Sequence, residues 1–203
     1  MNNSTPKYEY MQINSKQIIV DTAYQRILDP ERVKKIVSNF NPYTVNAIKV
    51  SSRDGKYYVF DGQHTVASLK LRNNNYDLMV ECKVYYGLTQ ADEARQFSEQ
   101  TGIARGVLTN AKMKSLIVAG DIEIIDLNNI VESVGFHLSF SNSGGNNRIV
   151  ACGTLFRIYK KVSQAELVYI LTTIKNSWNG AGGSLNKEIL EGMYLFLKHT
   201  RTR

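Results

Sequence analysis

The chain is poor in the residues that most quickly betray a class. Of its 203 residues, two are cysteine, three histidine, three proline and one tryptophan. Cys82 and Cys152 lie far apart, each in an apolar segment, which fits buried reduced thiols and offers no disulfide framework. Two cysteines and three scattered histidines also argue against a structural zinc site, which needs closely spaced ligands. No apolar run approaches the ~20 residues of a membrane-spanning helix. The opening MNNSTPKYEYMQ lacks the basic stretch and apolar core of a secretory leader, so a cytoplasmic protein without a membrane partner is expected. There is no internal repeat and no low-complexity block.

What is present is an ordinary apolar fraction and an uneven charge. Hydrophobic residues make up 43% of the chain, enough for one full core or two small ones. The net charge is +7. Residues 1–147 carry 16 basic against 15 acidic side chains, whereas residues 148–203 carry nine against three. A basic segment following a near-neutral one points to a polyanion, DNA above all, as partner; solvated helix faces are the plainer reading.

Periodicity divides the chain into a mixed half and a helical half. KQIIVD (16–21) reads as a strand. Asp29 and Pro30 are the N-cap and first residue of a helix that turns Val33, Ile36, Val37 and Phe40 inward and Arg32, Lys34 and Lys35 outward. AIKVSSRDGKYYVFDG reads as a hairpin around Asp54-Gly55, and QHTVASLKLRN as a helix that buries Val66, Leu69 and Leu71. VECKVYYGL is a further strand, and Thr89 and Asp92 form a capping box for a helix that Gly102 should stop. Beyond residue 103 the pattern is helical: Thr109 caps one segment, Gly120 and Gly135 end two, 136–140 is a short strand candidate and SNSGGNN a loop. Three amphipathic helices then fill 148–199. The expected class is α+β, with domains over 13–115 and 116–203.

The densest chemistry lies in FDGQHTVASL, at the corner between hairpin and helix. A strand, a glycine turn and a helix start form an anion site, because the first N–H groups of a helix lack internal partners and the helix dipole is positive there. Gly62 permits close backbone approach, Gln63 and Thr65 can donate, and His64 titrates near neutrality and can act as acid or base. Asp61 can accept a proton, orient His64, hold a divalent metal such as Mg2+, or simply cap the helix.

In order and spacing, these segments resemble the ParB/sulfiredoxin-like domain superfamily: IIVDTAYQRILD its opening strand and polar corner, PERVKKIVSNF its first helix, KVSSRDGKYYVFDGQHTVASL the hairpin into its signature turn, and VECKVYYGLTQADEARQFSEQTG the following strand and helix. The helical remainder resembles the extension of phage- and mobile-element-type members. The resemblance implies a ParB-like mixed-sheet domain followed by an all-helical region, and a nucleotide, a nucleoside triphosphate in particular, held at the turn. It places Gln25, Arg26, Gly62, Gln63, His64 and Thr65 around the phosphates, with Glu99 and Arg105 as later contributors. Asp61 and His64 would be the catalytic pair, and Asp61 the metal ligand, of a nuclease or phosphotransferase on this scaffold. An interaction module without catalysis is the remaining alternative. Thr65 stands where the family carries an arginine, which removes a fixed charge that Arg26 would have to supply. Gln63 stands where sulfiredoxins carry their catalytic cysteine, so that chemistry is excluded.

In the helical region a helix–turn–helix shape is present, but QAELVYILTTIK is too apolar to read base edges. Contact with DNA phosphates through Arg148, Arg157, Lys160, Lys161 and Lys175 is expected instead. A homodimer is compatible with this reading.

Overall fold

The computed structural model describes residues 7–103, 110–141 and 143–200. The chain forms two compact units, residues 1–101 and 102–203.

In the first unit, β1 (Tyr8–Asn14) and β2 (Ile18–Val20) precede α1 (Pro30–Ser38), β3 (Ile48–Arg53), β4 (Lys56–Asp61), α2 (Gln63–Arg72), β5 (Met79–Tyr86) and α3 (Gln90–Ile103). The five strands make one mixed sheet in the order β1-β5-β3-β4-β2. β1 runs antiparallel to β5 and β3 antiparallel to β4, whereas β5 with β3 and β2 with β4 are parallel pairs. Asp54 (φ 53°) and Gly55 (φ 71°) take the two left-handed positions of the expected tight turn. Alternation along the strands sends Ile13, Ile48, Val50, Val59, Val80, Cys82 and Val84 to one face, where they meet Val66 and Leu69 of α2. Leu71, expected inside, is instead 38% exposed near the end of that helix.

Local sequence chemistry sets the helix starts. The Asp29 side chain accepts from the Glu31 and Arg32 N–H groups, and Pro30 follows at the first helical position. At α3, Thr89 and Asp92 bond reciprocally, with the Asp92 carboxylate accepting from Thr89 N (3.0 Å) and Thr89 Oγ1 accepting from Asp92 N (3.2 Å). The helix runs through Gly102 to Ile103 rather than stopping at the glycine. A conformationally free residue permits a stop but does not impose one.

A buried ion network ties α3 to the segment after β2. Glu93 is fully buried; its carboxylate accepts from Arg53 Nε (3.0 Å) and the Tyr24 hydroxyl (3.1 Å). Asp21 completes the pairing of Arg53 at 3.3 Å.

The second unit holds α4 (Asn110–Val118), α5 (Ile122–Ser133), β6 (His137–Leu138), β7 (Arg148–Ile149), α6 (Cys152–Tyr159), α7 (Gln164–Trp178) and α8 (Lys187–Thr200). Its core is built from Leu127, Phe136, Leu155, Leu167, Ile170 and Leu171 among others, and the apolar face of α7 lies inside it as expected. Ser163 and Glu166 form a capping box for α7. The unit is helical apart from a two-residue parallel ladder between β6 and β7. The helix expected from Arg148 begins only at Cys152, because Asn147 (φ 59°) turns the chain and residues 148–149 are drawn beside 137–138. Both thiols are buried and unpaired; burial pushes Cys82 up to about 11 and Cys152 to about 12, where neither is nucleophilic at neutral pH. Helices and a mixed sheet in these proportions are the α+β class, and among the described residues no helix is long and apolar enough to cross a membrane.

Candidate functional site

The chain turns from strand to helix where β4 hands over to α2. Gly62 is the N-cap, at φ 105°, and among the described residues no side chain caps the helix. The conformation suits glycine, and the position demands it twice: a Cβ here would lie 2.9 Å from Ile48 Cδ1. Asp61 does not cap α2; it ends β4, half exposed, with its carboxylate 3.3 Å from Lys49 Nζ. The first N–H groups of α2 therefore have no side-chain cap.

The next two residues face the segment that leads into α1. Gln63 Nε2 donates to the Arg26 carbonyl at 3.1 Å, and His64 Nε2 accepts the Asp29 N–H at 3.2 Å. Both side chains are buried. Burial first, then the Arg32 and Arg26 guanidinium groups, hold the imidazole below its ordinary 6.5, with Asp29 opposing. His64 is thus a neutral acceptor whose Nε2 is occupied by the backbone. One turn on, the Ser68 hydroxyl donates to the His64 carbonyl at 2.7 Å and reaches the Val33 carbonyl at 3.4 Å. α1 is fastened to α2 through these contacts.

Between α1, residues 39–47 and the start of α2 lies a groove of about 640 Å³. Arg32, Lys35 and Asn39 line it from α1 and its end, and Asp61, Gly62 and Thr65 from the corner. Ile36, Phe40, Val45, Ala47 and Ile48 supply an apolar part. Arg72 stacks on Phe40, its guanidinium carbon 3.5 Å from the ring centre. Among the described residues neither Arg32 nor Lys35 is ion-paired with a carboxylate.

Of the residues singled out from the sequence, Asp61, Gly62 and Thr65 line this groove together. Gln63 and His64 stand beside it as clamps. Gln25 is buried away from its lining; its amide donates to the Val59 carbonyl at 2.8 Å, and among the described residues its Oε1 has no partner. The Arg26 guanidinium lies 5.6 Å from the Phe97 ring centre and is not part of the lining. Glu99 is exposed on α3, within 3.5 Å of Gln96 Nε2. Arg105 and Thr109 lie outside the described residues. Arg32 and Lys35 are exposed on α1, as its apolar periodicity leads one to expect. The spacing 32, 35, 39 is a single stripe along one flank of that helix, and it is the signal that marks them.

Among the described residues no three His, Cys, Asp or Glu side chains converge as a metal site needs. Asp61 is a single carboxylate already facing a lysine. A lone carboxylate does not make a closed, all-protein metal site.

In the second unit, three of the five expected DNA-contacting cations are engaged within the fold. Arg157 Nη2 lies 3.0 Å from Glu191 Oε1, and Lys160 pairs with Glu123. Lys175 Nζ donates to Asn147 Oδ1 (2.6 Å) and the Gly135 carbonyl (3.3 Å) and sits 4.9 Å from the Phe136 ring centre. Arg148 and Lys161 are exposed and in no ion pair among the described residues.

The chain is similar in structure to a pNOB8-like ParB N-domain, at 12% identity and a TM-score of 0.43 over 96% of this chain. It spans 66% of the length of that protein. A second structure of a pNOB8-like ParB N-domain gives 10% identity and a TM-score of 0.42, over 83% of this chain and 69% of the other. No curated protein matches the sequence. Residues 20–201, which take in the groove, its clamps and nearly all of the second unit, match the family of unknown function DUF6551, and the chain belongs to that family.

Proposed function

We propose that this chain binds a nucleotide, or another phosphate ester, in the groove at Gly62 and associates with DNA through its second unit. One observation carries the first part. The uncapped start of α2 opens onto a groove that is also walled by Arg32 and Lys35, two cations with no carboxylate partner among the described residues. Free backbone donors at a helix N-terminus and side-chain cations on the facing helix are complementary to a phosphate. Arg32 supplies the fixed charge that Thr65 does not, and Lys49 offsets the charge of Asp61. The apolar part, with Ile36, Phe40 and Val45, matches a ligand that also presents a base or another flat apolar group.

The reading is one of binding. His64, the residue best suited to acid–base work by type, has its Nε2 engaged by Asp29. The DNA part rests on the basic balance of residues 148–203, in which Arg148 and Lys161 are exposed and in no ion pair among the described residues. Calorimetric titration of the full chain with the four nucleoside triphosphates and with pyrophosphate tests the groove. Binding is expected for at least one and is lost in Arg32→Ala/Lys35→Ala; absence of binding by all five defeats the reading.

A further inference from the structure

The sheet face turned away from α2 carries a cluster unrelated to the groove. Among the described residues β1 is an edge strand, flanked within the sheet by β5 alone. Its register sets Tyr8 opposite Tyr85 and Tyr10 opposite Lys83. Period-two alternation turns all four side chains to the same face. Tyr8 is 45% exposed and Tyr10 60%. The rings touch in a chain: Tyr8 to Tyr10 with centroids 6.0 Å apart and planes at 89°, Tyr8 to Tyr85 at 5.6 Å, and Tyr85 to Phe60 at 5.5 Å. Lys83 Nζ stands among them, 3.8 Å from the centre of Tyr8, 5.3 Å from Tyr85 and 5.9 Å from Tyr10.

We propose that this face of β1 and β5 is a docking surface for single-stranded nucleic acid, with Tyr10 and Tyr8 stacking on bases and Lys83 meeting the phosphates. Exposing this much aromatic surface on a sheet face costs solvation free energy, and a partner that stacks recovers it. Every base has a π-face, so tyrosines accept bases without regard to sequence. The charge has the matching sign. Among the described residues Lys83 is in no ion pair with a carboxylate, and its ammonium is held over the rings by attraction to their π-faces. Lys49, next to Lys83 across the β3–β5 pairing, is paired with Asp61 at 3.3 Å and adds no free charge, so Lys83 carries the positive charge of this face. Glu81, two residues before Lys83 on the same face, stands opposite Gln12 and makes no ion pair with the lysine. Exposed tyrosine rings suit unpaired bases, which offer a free π-face. A duplex keeps its bases stacked inside and offers the rings no π-face.

The test is fluorescence anisotropy of a labelled 20-mer of thymidine with the full chain, beside a duplex of the same length. The expected result is salt-sensitive binding of the single strand that weakens about fivefold or more in Tyr10→Ala and in Lys83→Ala, while Lys56→Ala, which removes one exposed charge elsewhere, has no effect. Tyr10→Trp is expected to keep the affinity and to show quenching of its added fluorescence on binding, a readout that a change in folding would not mimic. Single-strand binding that Tyr10→Ala and Lys83→Ala leave unchanged overturns the proposal and assigns the affinity to the second unit. A dimer in sedimentation that Tyr10→Ala abolishes, with no single-strand binding, overturns it in favour of a contact between copies of the chain.

Discussion

The backbone N–H of Asp29 donates to Nε2 of His64 at 3.2 Å, joining positions 35 residues apart. Asp29 also caps α1 with its carboxylate, so one residue starts the helix and hangs it on α2. His64 is thereby a structural acceptor, and the wall of the groove that carries Arg32 and Lys35 is held in place by it.

Acid should loosen this joint. Because the folded protein holds His64 below its ordinary 6.5, the unfolded chain binds the proton more readily. The contribution is complete above pH 6.5 and is lost as pH falls through the lower folded value. Melting temperature followed between pH 7.5 and 5 should fall on the acid side for the wild type and change less in His64→Gln. His64→Ala should cost about 1–3 kcal/mol at neutral pH, by stranding the Asp29 N–H, as read from urea unfolding.

Gly62→Ala should destabilise the fold by about 1–3 kcal/mol through two separable terms, a left-handed backbone and a steric contact. Adding Ile48→Val removes the Cδ1 atom that the new Cβ would meet at 2.9 Å. The double variant should regain the steric part but not the backbone part, and a full double-mutant cycle in urea measures the split.

Thr65→Arg should raise phosphate affinity. It returns to the groove rim the guanidinium that the resemblance to ParB-like domains leads one to expect there, next to Arg32 and Lys35. A charge-assisted hydrogen bond contributes about 1.5–3 kcal/mol, so pyrophosphate titration should show a gain of about tenfold or more. A fall in affinity would mean that phosphate does not sit at this end of the groove.

Glu93→Ala should be among the most damaging changes in the first unit, costing about 3–5 kcal/mol, because it leaves Arg53 and Tyr24 facing a buried gap. Arg53→Met in the same background should recover part of the loss, since the stranded charge goes with it. Thermal melts of the two variants decide this.

Short-range chemistry explains how much of the fold was legible. The Asp29 and Thr89 caps, the Asp54-Gly55 turn, the alternation of β3 to β5 and the apolar face of α7 each depend on residues a few positions apart. The strand-to-helix corner at Gly62 could be read for the same reason. Where local signals were permissive rather than compelling, tertiary context decided: Gly102 lies within α3, Leu71 is exposed and residues 148–149 join a ladder.

The composition of the site obeys the same division. By itself the sequence determined that a glycine corner between strand and helix exists, that both cysteines lie in apolar segments and that α7 serves the core. Only the tertiary structure decided which side chains share the corner. It turned Gln63 and His64 toward the backbone of residues 26–29, sent Arg26 toward Phe97 and brought Arg32 and Lys35 to the groove. The physical reason is that a helix's apolar stripe fixes which face it buries, whereas the direction of its charged flank depends on the neighbour it packs against, here α2, some thirty residues away in the chain.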